Sequence, residues 1–309
     1  MPASQGPDML DAPQEADPLA RCFMPARPRK PRDDEIDLHA ITHPGLVRQE
    51  NQDHFLICQL KKQMDVWLTS LPEIGMMPVD SERLAFLMMV ADGVGGGAGG
   101  EAASRSALEG VTRYVSESIQ AYYTADAGDE AAFVETLTAA VLRVHEDLVG
   151  IAREEPGLGS AATTLTLFIG LWPRAYLVQA GDSRYYILGG TELRQVSRDQ
   201  TLGQELVDQG VLASDKASSL RWARALSSSI GGSESRPVVT SFTNVWENVH
   251  LLCSDGLTKH VPDERIRERL MTMTSAKQSC EDLLQDVLDD GGTDNVTMII
   301  ARTIRKYGD

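Results

Sequence analysis

Apolar residues along the chain fall into two kinds of run. Short, dense runs of strand length occur at 36–42 (IDLHAIT), 54–60 (HFLICQL), 84–91 (LAFLMMVA), 163–172 (TTLTLFIGLW), 175–181 (AYLVQAG), 184–190 (RYYILGG), 249–254 (VHLLCS) and 295–302 (NVTMIIAR). Two long stretches instead carry apolar residues at the three-to-four spacing of one helix face. In 100–123 these are Ala103, Ala107, Val111, Tyr114, Val115, Ile119 and Tyr122, and in 129–154 they are Phe133, Leu137, Ala140, Val141, Val144 and Leu148. Two shorter helices are expected in 263–290, and 195–236 is mixed, polar and partly helical. Strands grouped between helix pairs, rather than alternating singly with helices, predict an α+β domain of sheets covered by helices.

Three strand runs end alike. LAFLMMVAD reaches Asp92-Gly93, AYLVQAGD reaches Asp182-Ser183, and VHLLCSD reaches Asp255-Gly256. Asp53 and Asp294 instead precede apolar strands. If neighbouring strands run antiparallel, strand ends lie beside strand starts, and all five carboxylates are expected on one edge of the sheets. Close carboxylates repel, at about 4 kcal/mol per pair at an effective dielectric near 20. Arg48 and Arg184 are the cations expected nearby, with no lysine intervening, so bound metal is the economical counter-charge. All-oxygen ligation selects Mg²⁺ or Mn²⁺. Two such ions ~4 Å apart would bridge and acidify one water and aim it at phosphorus.

Six glycines follow Asp92 within eight residues, 93–100. Gly95, Gly97 and Gly100 satisfy the G-x-G-x-x-G spacing of a dinucleotide turn, but the acidic strand end expected about 20 residues on is replaced by helix. The glycines are better explained as letting the backbone bend and approach a cation site closely, with the Gly93 carbonyl facing it.

These segments resemble, in order, the motifs of the metal-dependent protein phosphatases of the PP2C type in their bacterial form. HPGLVRQENQDHF is similar to the family's R-x-x-N-(E/Q)-D, VADGVGG to D-G-x-G-G, and AATTLTL to its G-T-T strand. AGDSRYY carries G-D-S-R, LCSDGLTKHV carries S-D-G-L, and GGTDNVT carries the closing D-N. The resemblance implies a β-sandwich of two mainly antiparallel sheets flanked by helix pairs. It places the domain at 35–305, with a flap at about 195–236 near the site. It also implies hydrolysis of phosphoserine and phosphothreonine by in-line attack of a metal-bridging hydroxide. Asp53, Asp92, the Gly93 carbonyl, Asp255 and Asp294 would hold two Mn²⁺ or Mg²⁺ ions, and Asp182 with Asp255 a third, weaker one. Arg48 would bind the phosphate and Asn295 would orient Asp294 or a water. Phosphorylated proteins, substrates of a Ser/Thr kinase, would be the partners, and a monomer is expected.

Four departures stand out: Gln52 replaces Glu, Val94 stands where eukaryotic members carry a His, Ala162 replaces Gly, and Asp53 and Asp92 lie 39 positions apart (92 − 53). The last implies an insertion at about 58–83, in which Trp67, Leu71, Met76 and Met77 would pack over the sheet edge. The alternative to an enzyme is a pseudophosphatase acting as a phosphoprotein-binding module. A nucleotide-binding oxidoreductase would rest on the glycines alone. Ser183 lacks a nucleophile-elbow context and is given a structural role, while Arg184 would brace a loop or touch substrate.

Composition narrows the surroundings. The 309 residues carry a net charge of −16, which argues against a nucleic-acid surface. Cys22, Cys58, Cys253 and Cys280 show no metal or disulfide spacing, which fits a reducing compartment. No apolar run reaches the ~18 residues of a membrane span, and no signal sequence is visible, so a cytoplasmic protein is expected. Residues 1–34, rich in Pro, Ala and Asp, read as a disordered tail whose basic cluster Arg27, Arg29, Lys30 and Arg32 is a solvated linker.

Overall fold

The computed structural model describes residues 29–63, 82–95, 98–124, 130–154, 161–213, 216–217 and 220–306. In chain order the elements are β1 (Ile36–His43), β2 (Asp53–Lys62), β3 (Glu82–Val94), α1 (Ala98–Thr124), α2 (Glu130–Glu154), β4 (Ala162–Thr163), β5 (Leu165–Leu171), β6 (Arg174–Ala180), β7 (Arg184–Gly189) and β8 (Glu192–Gln195). They continue with α3 (Leu202–Asp208), a 3₁₀ turn (Arg221–Arg224), β9 (Val238–Thr243), β10 (Val249–Cys253), α4 (Asp255–Thr258), α5 (Asp263–Met271), α6 (Ala276–Asp289) and β11 (Val296–Thr303).

Two sheets form, ordered β1-β11-β10-β7-β8 and β2-β3-β5-β6-β9, with β4 added beside β3. Every pairing is antiparallel. The central strands are buried on both faces, which is why their sequences are continuously apolar rather than alternating. In β3, Leu87, Met89 and Ala91 face the layer of α1 and α2, where they meet Val111, Val115, Leu137 and Val141. Met88 and Val90 face the other way, into the seam between sheets, with Phe168, Tyr185, Leu252 and Ile299. On the second sheet Leu251, Met298 and Ile300 pack beneath Ile266, Leu270, Leu283 and Val287 of α5 and α6. The result is a helix–sheet–sheet–helix sandwich, as the sequence predicts.

The chain pattern missed β8 and β9. Both are short edge strands whose burial is partial, so they lack the dense apolar run that marks the central strands. The end of the segment read as a tail is ordered from residue 29. Arg29 makes two bonds, 2.7 and 2.8 Å, to the carboxylate of buried Glu35. Trp246 donates its indole N–H to the Arg29 carbonyl at 3.2 Å, and Lys61 pairs with Asp33 at 3.2 Å. Part of the basic cluster therefore neutralises the chain's own acids. Residues 1–28, with Arg27, lie outside the described residues. The long separation of Asp53 from Asp92 is closed by the β2–β3 hairpin, in which these two residues are directly paired. Positions 58–62 and 82–83, assigned to an insertion, extend that hairpin; Trp67, Leu71, Met76 and Met77 lie outside the described residues.

Truncating fully buried Leu167 to Ala is expected to cost about 2–5 kcal/mol in urea unfolding. Exposed Val211→Ala should stay within about 0.5 kcal/mol of wild type.

Candidate metal centre

Antiparallel pairing brings the aspartates together at one end of the sandwich. Asp53 opens β2 directly opposite Asp92 near the end of β3. Asp182 lies in the turn from β6 to β7, which crosses between the sheets, and Asp255 starts α4 immediately after β10. Asp294 sits just before β11. Arg48, Asp92, Gly93, Asp182, Asp255 and Asp294 line one open cleft of about 570 Å³, together with Arg224, Ala225 and Leu226 of the 3₁₀ turn and the residues after it. Asp53 lies beneath it, 3% exposed.

Hydroxyl and amide partners fix the carboxylates from behind. Ser254 donates its hydroxyl to Asp53 Oδ2 at 2.7 Å while accepting from the Thr297 N–H at 3.0 Å. The Asp92 N–H donates to Thr164 Oγ1 at 3.0 Å, and its carbonyl accepts from the Thr163 hydroxyl and the Thr164 N–H, each at 2.9 Å. Thr164 shares a 2.7 Å contact with the hydroxyl of fully buried Ser183, so Ser183 is structural, as expected. Arg184 holds Asp199 through Nε and Nη2 at 2.9 and 2.7 Å, and so braces the segment between β8 and α3.

Gly93 is a close-approach position. It continues β3, paired with Thr163, and is not the bend that the sequence suggested. A Cβ there would stand 2.3 Å from the Gly100 carbonyl oxygen and 2.7 Å from that of Gln52, so only glycine lets the start of α1 close onto the strand. The antiparallel neighbours β2, β4 and β5 exclude the βαβ unit that a dinucleotide turn requires.

Two groups escaped the sequence reading or were misplaced by it. Lys259 stands inside the site, contrary to the expectation that no lysine intervenes. Its ammonium lies 2.5 Å from Asp255 Oδ2 and 2.7 Å from Asp294 Oδ2. The signal was its spacing, four residues after Asp255 on one helical turn. Asn295, expected to orient Asp294 or a water, donates its backbone N–H to Asp294 Oδ1 at 3.0 Å, while its side chain braces the loop carrying Arg48. That side chain donates to the Pro44 and Glu50 carbonyls at 3.0 and 2.8 Å and accepts from the Gln52 N–H at 2.9 Å. Arg48 itself is 56% exposed over the cleft, with Nε 2.9 Å from Asp294 Oδ1.

Charge crowding shows in the acidities. Burial pushes the Asp53 carboxyl up to about 6, against the hydrogen bonds from Ser254 and Thr297 and with the Asp255 charge adding to it. Asp92 is raised well above the usual range by burial and by the charges of Asp53, Asp255 and Asp182. Burial, then the charges of Asp255 and Asp199, lifts Asp182 to about 8. Asp294 goes the other way: burial opposes its ionisation, but Lys259 and Arg48 outweigh it.

The donor set suits a hard divalent cation. It is all oxygen, it carries more negative charge than its neighbours neutralise, and Asp53 Oδ1 is buried with no hydrogen-bond partner. Among the described residues no three acidic, His or Cys side chains are gathered around a single point as a metal would require, and two of the carboxylates pair with Lys259.

The sequence pattern of the family described as Protein phosphatase 2C matches residues 77–292. The chain belongs to the protein phosphatase 2C family. The serine/threonine protein phosphatase PstP of Mycobacterium tuberculosis is 34% identical over 220 residues, 71% of this chain and 41% of PstP; the chain thus spans about two-fifths of that relative. The serine/threonine phosphatase stp of Listeria monocytogenes is 30% identical over 217 residues, 69% of this chain and 83% of stp. The PstP catalytic domain crystallised with two manganese ions superposes with a TM-score of 0.66 at 29% identity, covering 87% of this chain and 99% of that one. The protein phosphatase 2C match begins after Arg48 and Asp53 and stops before Asp294; in the structure Arg48 and Asp294 line the cleft, and Asp53 lies beneath it. None of the five aspartates is missing from the site, and no observation favours a binding module over an enzyme.

The raised carboxyls predict a pH dependence. Folded Asp53 and Asp182 keep protons that the unfolded chain, near 3.8, has released. Metal-free protein should therefore lose stability as pH rises from about 4 to about 8. Mn²⁺ that displaces those protons should raise Tm more at pH 8 than at pH 5.5. Thermal melts with and without Mn²⁺ across this range check it; a Mn²⁺ shift independent of pH contradicts it.

Proposed function

We propose that this chain is a Mn²⁺- or Mg²⁺-dependent protein phosphatase that hydrolyses phosphoserine and phosphothreonine. The observation that carries the proposal is the convergence of four aspartates from both sheets in one cleft, over the buried Asp53 and under an exposed arginine. Asp53, Asp92, the Gly93 carbonyl, Asp255 and Asp294 would hold two ions, and Asp182 with Asp255 a third. When bound, the ions supply positive charge to a phosphate and activate water at neutral pH.

The chain's own residues do the rest. Arg48 projects from a loop pinned by Asn295, so its planar fork can hold two phosphate oxygens and orient the phosphorus for in-line attack. Asp53 is held through Oδ2 by Ser254, while its Oδ1 is buried with no hydrogen-bond partner. Val94, 41% exposed beside Gly93, offers no proton to a leaving group. Solvent reaching the open cleft is then the source of that proton.

The relatives named above are serine/threonine phosphatases, and this supports phosphorylated proteins, substrates of a Ser/Thr kinase, as partners of this chain. Among the described residues no helix is long and apolar enough to cross a membrane. The net charge of −16 supports the absence of a nucleic-acid partner.

Purified protein should release phosphate from p-nitrophenyl phosphate and from a phosphothreonine peptide with Mn²⁺ or Mg²⁺, and not with excess EDTA. Asp92→Asn and Asp255→Asn should each lower kcat by about 10²-fold or more without altering the far-UV spectrum. Arg48→Ala should act chiefly on KM for the peptide. Folded protein inactive with every metal would overturn the assignment.

A further inference from the structure

The one cation built into the floor of the cleft is Lys259, and its placement is tightly determined. It ends α4, with its backbone N–H donating to the Asp255 carbonyl at 2.9 Å, so its side chain rises on the same face as Asp255. That helix cannot shift. A Cβ on Gly256 would stand 1.8 Å from the Asn295 carbonyl oxygen, and Leu257 is fully buried. The next residue, His260, clamps the loop that presents Asp294: its Nε2 accepts from the Thr293 N–H at 3.0 Å and its Nδ1 meets Asp290 Oδ2 at 2.9 Å. Lys259, Asp255 and Asp294 are thus fixed on two segments locked to each other.

We propose that Lys259 is a tethered counter-ion that competes with divalent metal for Asp255 and Asp294, holding the metal-free site together and raising the metal concentration needed to fill it. This rests on the metal-centre reading above. An ammonium has three donors and no lone pair, so it can neutralise carboxylates but cannot ligate a metal beside them. Asp294 has both oxygens engaged, Oδ1 by Arg48 and Oδ2 by Lys259. A divalent ion shared by Asp255 and Asp294 must therefore displace the ammonium or sit beside a like charge, and affinity falls either way. The tether gives the lysine a permanently high local concentration. At 28% exposure it has open cleft to swing into when displaced.

The test uses Lys259→Met, which keeps the stem and removes the charge, and Lys259→Arg, which keeps the charge. Mn²⁺ binding to the metal-stripped full-length chain is measured by calorimetry, and Tm with and without Mn²⁺ by thermal melts. The Met variant should bind Mn²⁺ on the order of tenfold more tightly than wild type. Its metal-free Tm should fall, and the gap should narrow once Mn²⁺ saturates. The Arg variant should stay near wild type in affinity. Wild-type binding with a Met variant that binds no tighter, or more weakly, overturns the role of Lys259 alone. No Mn²⁺ binding by folded wild-type protein overturns the metal-centre reading and this proposal with it.

Discussion

Carboxylates brought within a few ångströms of one another in partly buried surroundings repel strongly, and the fold does this at its one shared sheet edge. Asp53 and Asp92 are cross-strand partners, a position at which like charges destabilise a sheet. Asp182 and Asp255 add their charges from the turn and helix that follow β6 and β10. The opposing cations are fewer and stand to one side: Lys259 and Arg48 reach Asp294, and Lys259 reaches Asp255. Protons, a cation, or both must make up the difference. The raised pKa values of Asp53, Asp92 and Asp182 are the form this debt takes when protons alone are counted.

Such a cluster survives because its backbone is held by neutral groups. The strand ends around it are rich in small hydroxyl residues. Thr163, Thr164 and Ser183 fix Asp92 and the turn before β7; Ser254, Thr297 and Thr42 fix Asp53 and the start of β11. All but the exposed Thr42 are buried, and each finds a partner, so the hydroxyls themselves incur little desolvation penalty. Neutral donors also hold a carboxylate in place without cancelling the charge that a metal requires. An arginine in the place of Ser254 would satisfy Asp53 completely and leave it nothing to offer.

How far the chain announced this arrangement can be judged residue by residue. The strand-then-Asp pattern was legible because a central strand needs continuous apolar residues and a turn needs Asp and Gly. Both are local requirements, and so is the heptad-like spacing that located α1 and α2. The features that were not legible depend on partners far along the chain. Gly93 looked like a bend because Asp-Gly usually is one, and only the approach of Gly100 and Gln52 gives it another reason. Asn295 was read as a neighbour of Asp294, yet its side chain serves a loop some 245 residues earlier. Lys259 was overlooked because its role needs Asp294 as well as Asp255. β8 and β9, half-exposed edge strands, take their definition from the strands they pair with.

The division of the carboxylates between the two sheets has a mechanical consequence. Asp53 and Asp92 belong to the β2–β3 edge of one sheet, whereas Asp255 and Asp294 flank β10 and β11 of the other. The two sheets otherwise meet through an apolar seam of Met88, Val90, Phe168, Leu252 and Ile299. That seam is close-packed, but its contacts are non-directional. Ligation by carboxylates of both sheets would add a directional constraint, because a slide of even one ångström would pull the two pairs out of a common coordination geometry. A cation shared by the sheets would act as a pin through the sandwich, and its binding free energy would add to the stability of the whole domain rather than to one loop. By the same coupling, a loosening of the apolar seam far from the cleft should be felt first as weaker metal binding.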